Sequence, residues 1–144
     1  VTQYLRQSQM NSLTNGWLLN RTADATPVCR PLAPIRQLQR AGITVAVGGD
    51  NVADPWFPGG DFDPLALMAS SLPLAQLAPW QRLGLSPFTT AAAQVMDLAW
   101  DGVICRDAPA DLVMVQAQTW SAALRRPPQR RGLIAGRWWE PPRR

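Results

Sequence analysis

One carboxylate stands out by its setting. Asp50 follows a β-rich run, Ile43 to Val47, and two glycines, Gly48 and Gly49. In parallel α/β folds, chemistry is placed just beyond the carboxyl ends of the strands. An acid there could contact a cation, or take a proton from water and return it to a leaving group. Position alone suits a helix cap, a turn or a surface carboxylate equally well. The loop that follows, Asn51 to Asp61, has two prolines and two glycines and carries Trp56 and Phe57 at its centre. The Trp56 indole could stack against a flat heterocycle, or simply anchor the loop.

What the sequence lacks narrows the chemistry further. It contains no histidine. Neither Cys29 nor Cys105 therefore has an imidazole to activate it as a nucleophile. The two cysteines form no close-spaced pair, which points to free thiols in a reducing, cytoplasmic setting. Asp61 and Asp63 form a second acidic pair, placed to cap or flank a following helix. All 14 basic residues are arginine, and seven of them fall at or after Arg125, within a net charge of +4. Clustered arginines can neutralise phosphates. Here Pro127-Pro128 and Pro141-Pro142 break the segment into a turn and a tail, so a solvated surface is the simpler reading and nucleic acid is not the expected partner. No apolar run reaches the ~18 residues a membrane span needs.

The elements that must position Asp50 follow from periodicity. Residues 2–10 fit the end of a helix, Asn11 to Asn20 a short strand and loop, and 22–31 a loop with two prolines. Leu32, Ile35 and Leu38 recur at helical spacing, with Gly42 as the stop. Helix, glycine, then the apolar run at 43–47 is the pattern of a buried parallel sheet. Residues 62–79 read as an apolar helix broken near Pro73, and 88–98 as a second helix started by Ser86-Pro87, with Ala91 to Ala93 small enough for close packing. Beyond residue 100 the pattern turns to strands, at 111–116 and on either side of an Ala135-Gly136 turn. Alternation there would put one ring of Trp138-Trp139 inside and one outside.

Several of these segments together resemble the cytosine deaminase branch of the amidohydrolase superfamily. The strongest is Gly48-Gly49-Asp50-Asn51-Val52 followed by Asp54-Pro55-Trp56-Phe57-Pro58. It is similar to the family's strand-end acid and the loop over its pyrimidine pocket. Asn11-Ser12-Leu13-Thr14-Asn15, Thr89-Thr90-Ala91-Ala92 and Ala108-Pro109-Ala110-Asp111-Leu112-Val113, with Gly136-Arg137 downstream, agree in order and spacing. The sequence departs from the family where Asn51 stands for a second acid, Gly49 for a histidine of some relatives, and Ser12 for a proline.

The resemblance implies an α/β fold: the C-terminal part of a metal-dependent (β/α)8 TIM barrel over residues 1–100, then a return to the flanking small β-sandwich over 101–144. It implies a hydrolase that deaminates a cyclic amidine such as cytosine with a metal-activated water. The alternatives are another cyclic amide or aminotriazine as substrate, or an inactive scaffold subunit. Asp50 would be both catalytic group and metal ligand, Trp56 and Asn51 would meet the substrate, and Asp54, Pro55 and Pro58 would shape the loop. One zinc or iron ion would need histidines from an amino-terminal barrel portion, Val1 being read as a cut end. The expected partners are that portion, a small heterocycle and further copies in a homo-oligomer. Two or so barrel units leave strand edges open, so this chain expressed alone is expected to aggregate. Analytical ultracentrifugation showing a soluble monomer with a sharp thermal melt would contradict this.

Overall fold

The computed structural model describes residues 7–10, 17–28, 32–50, 52–125 and 128–139. Its centre is strand β2 (Thr44–Val47), in which Val45, Ala46 and Val47 are all buried. A strand buried on both faces has no polar side to turn outward, which is why the run is continuously apolar rather than alternating. It pairs in parallel with β1 (Gln7–Met10), Gln7 opposite Thr44 and Met10 opposite Val47. The expectation of a helix end over 2–10 fails for these residues. Gln-Ser-Gln-Met carries no strand signal of its own, and backbone pairing with β2 overrides local preference.

A parallel pair needs a crossover, and helix α1 (Ile35–Arg40) lies in it. Ile35, Val45 and Val47 form the buried cluster, with Leu38, Ile43, Leu77 and Phe88 packed around it. The turn from α1 into β2 is made by Gly42, at φ +76°. Gly42 N–H donates to the Gln39 carbonyl and Ile43 N–H to that of Leu38, so the last carbonyls of the helix are satisfied before the strand begins.

Helix α2 (Pro64–Leu74) starts with proline in its first turn and ends just after Pro73, where the sequence pattern placed a break. Gln76, at φ +52°, closes it with the same paired carbonyl bonds that Gly42 makes, donating to Pro73 while Leu77 donates to Leu72. Two pieces not expected from the sequence come first, α3 (Arg82–Leu85) and a 3-10 turn over Ser86–Phe88, and the helix expected over 88–98 then follows as the shorter α4 (Thr90–Val95). Pro87 is buried in the 3-10 turn, and Thr89 leaves helical geometry at φ −132°, ψ −103°. Gln39 of α1 donates to the Leu83 carbonyl at 2.7 Å, fixing α3 against the first helix.

Beyond these lies an antiparallel sheet, β3 (Leu112–Val115), β4 (Arg130–Ile134) and β5 (Arg137–Trp139), with α5 (Trp120–Arg125) in the first connection and packed on α2. Ala135 and Gly136 both have positive φ, as a two-residue hairpin requires. Trp138 and Trp139 are both exposed, at 46% and 53%. The expected inside–outside split fails because no second layer covers this sheet among the described residues. Arg131 instead lies 4.0 Å over the Trp138 ring.

The architecture is thus mixed α/β and fits part of a TIM-like barrel. The described strands make a parallel pair and a three-stranded sheet, not a closed barrel. No helix among the described residues is long and apolar enough to cross a membrane. A side chain at the buried Gly84 would overlap the Ala78 carbonyl. Gly84→Ala is therefore expected to lower stability by about 1–3 kcal/mol, read as a fall in Tm. Gly59→Ala, whose new methyl would meet Phe57 at 3.5 Å, serves as the tolerated control.

Candidate functional site

Past Val47 the chain leaves the sheet through Gly48 and Gly49, and Asp50 stands exposed just beyond. The loop that follows is held by its own first acid. Asp54 Oδ1 accepts from the N–H groups of Trp56 and Phe57, both at 2.9 Å. Asp54 N–H donates to the Phe57 carbonyl at 3.0 Å, and Ala53 N–H to that of Gly59 at 2.9 Å. These four bonds close residues 53–59 into a compact turn beside the strand end.

The turn, the two glycines and the start of α2 surround a hollow of about 450 Å³, lined chiefly by Gly48, Gly49, Phe57, Asp61, Phe62 and Leu67. That volume lies within the range of small-molecule sites, roughly 300–1,000 Å³. Of the residues singled out in the sequence, Asp61 and Asp63 line it, while Asp50, Trp56, Asp54, Pro55 and Pro58 do not. Trp56 is 63% exposed. Asn51 and Cys29 lie outside the described residues, as does the segment Asn11–Asn15. Cys105 is a free, exposed thiol. Phe62 and Leu67 line it without having been singled out, and Phe57 lines it where its neighbour was the expected ring. The available signal was its place beside Trp56 in a proline-bounded loop, which could not say which ring would turn inward.

Asp63 has a structural task at the rim. Its Oδ1 accepts from Leu65 N–H at 2.9 Å and so caps α2, as the sequence suggested. Both its oxygens also accept from Arg130 of β4, at 2.7 and 2.5 Å. The Arg130 hydrogen bonds lower the Asp63 pKa to about 2, against a partial burial that acts the other way. Asp61 Oδ1 accepts from Asp63 N–H at 2.9 Å and adds to the field on Arg130, whose own pKa is raised chiefly by its hydrogen bonds to Asp63. Arg130 and Arg131 are thus engaged inside the molecule, which further weakens a nucleic-acid reading of the late arginines.

A divalent metal bound through nitrogen and oxygen needs several donors. The sequence has no histidine, and among the described residues no three His, Cys, Asp or Glu side chains come together. The donors among the described residues do not by themselves fit a metal.

No protein-family model matches the chain. It is similar to a pterin deaminase of Rhizobium rhizogenes (strain K84 / ATCC BAA-868), with 31% identity over 122 residues, 85% of this chain and 28% of that protein. The fold is similar to the crystal structure of 5-methylcytosine deaminase from Klebsiella pneumoniae liganded with phosphonocytosine, at a TM-score of 0.71 and 24% identity, covering 92% of this chain and 33% of that one. The chain therefore spans about a third or less of either protein. The sequence likeness is to a deaminase, and the fold likeness is to part of another.

The Asp63–Arg130 pair generates a prediction with a sign. Asp63 has a lower pKa folded, about 2, than its ordinary 3.8. Its contribution is therefore fully present above pH 4 and is lost as the pH falls through 2. Arg130→Met should lower stability on the order of 1 kcal/mol at pH 7, and the difference from wild type should shrink towards pH 2. Urea melts at the two pH values test this, and an equal difference at both would refute it.

Proposed function

We propose that this chain is the C-terminal portion of a cytosine deaminase-like amidohydrolase, residues 1–100 belonging to its barrel and 101–144 returning to a small β domain. The observation that carries the reading is the place of Asp50, just past the carboxyl end of a buried parallel strand and next to a loop closed by its own acid. In this reading the enzyme replaces the exocyclic amino group of a cyclic amidine by oxygen, consuming water and releasing ammonia. Asp50 accepts the proton of the attacking water and passes it to the departing nitrogen, a role typically worth 10²–10⁴ in rate. It would also contact a zinc or iron ion, whose histidine ligands must come from outside this sequence. That ion, when bound, makes water a nucleophile at neutral pH.

Trp56 and Asn51 are assigned to the substrate, and Asp54, Pro55 and Pro58 to the shape of the loop. Cytosine is the reference substrate. Pterin is the second reading, favoured by the sequence likeness to a pterin deaminase. Both carry an amino group on a ring carbon flanked by nitrogen, so one mechanism serves either. A catalytically inactive scaffold is the competing class.

The test has two arms. In the complete polypeptide, Asp50→Asn should cut ammonia release from the preferred amidine at least a hundred-fold while leaving Tm nearly unchanged. The 144-residue chain purified alone should carry no stoichiometric metal by mass spectrometry and should release no ammonia. Undiminished turnover in the variant, or a metal-loaded active chain, would sink the proposal.

A further inference from the structure

The hollow beside the strand end is lined by Phe57 and Phe62 and by the bare backbone of Gly48, Gly49 and Gly60. Gly49 does not have the positive φ that would oblige the backbone to use glycine. A methyl group there would meet the nearest Leu67 carbon at 3.6 Å, an ordinary contact. Neither strain nor crowding therefore requires glycine at this position. What the missing side chain leaves is open space on the side of Gly49 that faces the hollow, one residue before the acid assigned to the proton transfer.

The lining decides what could use that room. Phe57 and Phe62 offer flat apolar surface, and Phe62 is 90% exposed, an expensive place for a phenyl ring unless something covers it. Asp63 is committed to Arg130 and to the helix cap. Asp61 is then the carboxylate at the rim that can accept from a ring N–H. Flat apolar walls with one acceptor suit a nitrogen-rich aromatic ring better than a sugar, a phosphate or an alkyl chain.

We propose that this hollow receives the second ring of a fused, amino-substituted two-ring heterocycle, and that Gly49 is the residue that admits it. The inference rests on the deaminase reading of Asp50, whose amidine ring would sit at the strand end while the fused ring enters the hollow. Gly49→Leu would fill the space between Phe57 and Leu67. Gly49→Ala would add only the tolerated methyl.

The experiment uses the complete polypeptide and two probes, pterin with two rings and cytosine with one. Binding is read by quenching of pterin fluorescence and, for cytosine, by calorimetry; turnover is read by ammonia release. Gly49→Leu should lower the pterin-to-cytosine ratio of association constants at least ten-fold, and Gly49→Ala less than three-fold, with Tm of both variants recorded. A parallel fall in the ratio of kcat/KM is expected. An unchanged binding ratio in Gly49→Leu overturns the proposal, as does failure of the wild type to bind pterin. Selective loss of pterin binding without any deamination by the wild type would uphold the hollow and overturn the reading of Asp50.

Discussion

Burial of β2 on both faces is the constraint from which the rest of the molecule follows. A strand with Val45, Ala46 and Val47 all out of water must be covered on each side and paired at its edges. One face takes Ile35 of α1 together with Leu77 and Phe88. The other approaches α4, where Thr44 Oγ1 meets Gln94 Oε1 at 3.5 Å. Because the strand is clamped in this way, Gly48, Gly49 and Asp50 are delivered at its end. A site that depends on where one carboxylate stands is best built on the end of an element that cannot slide.

The Asp63–Arg130 pair provides a second fixed point at the hollow's rim. It joins α2 to β4 across the part of the chain where the helical pattern gives way to the antiparallel sheet. The arginine is a third exposed, so its value lies less in energy than in geometry. A two-pronged bond sets both the distance and the orientation of the partners. Asp63 is at the same time the cap of α2, so the start of that helix, the acids flanking it and the sheet beyond are held by one side chain. Asp61 bonds to the Asp63 N–H and inherits this order.

How much of this was written in the sequence depends on whether the signal was local. Helix α1, its glycine stop and β2 were legible because each rests on nearby residues: a 3.6-residue repeat, a left-handed turn and an unbroken apolar run. The Ala135-Gly136 hairpin was legible for the same reason. Strand β1 was not, since Gln7 to Met10 become a strand only by pairing with residues more than thirty positions away. The two short pieces ahead of the second helix, α3 and the 3-10 turn, were not legible either. Ser86-Pro87 is a good helix start by rule, yet burial of Pro87 in a 3-10 turn pushed the start of α4 on to Thr90. At the site, the sequence picked out Asp50 as a candidate and the loop as a unit, but not which aromatic ring faces the hollow. That choice is made by Asp54, whose one oxygen holds the N–H groups of Trp56 and Phe57 together and so sets the path of both residues.

The exposed apolar side chains give this arrangement its direction. Trp56, Phe62, Trp80, Ile104 and Val113 are each more than 60% exposed, although the chain builds a tight cluster around β2. On the proposed reading the side chains left outside belong to surfaces that other groups cover, substrate at the strand end and further polypeptide elsewhere. The two cases separate by neighbourhood. Phe62 shares its hollow with carboxylates and bare backbone, which a polar heterocycle can satisfy. Val113, 65% exposed, lies in register with Gly132 and Trp139 on a sheet with no layer against it among the described residues, an apolar strip that apolar packing suits. On the proposed reading the same physical signal marks a small-molecule surface in one place and a packing surface in the other, and the polar atoms beside it separate the two.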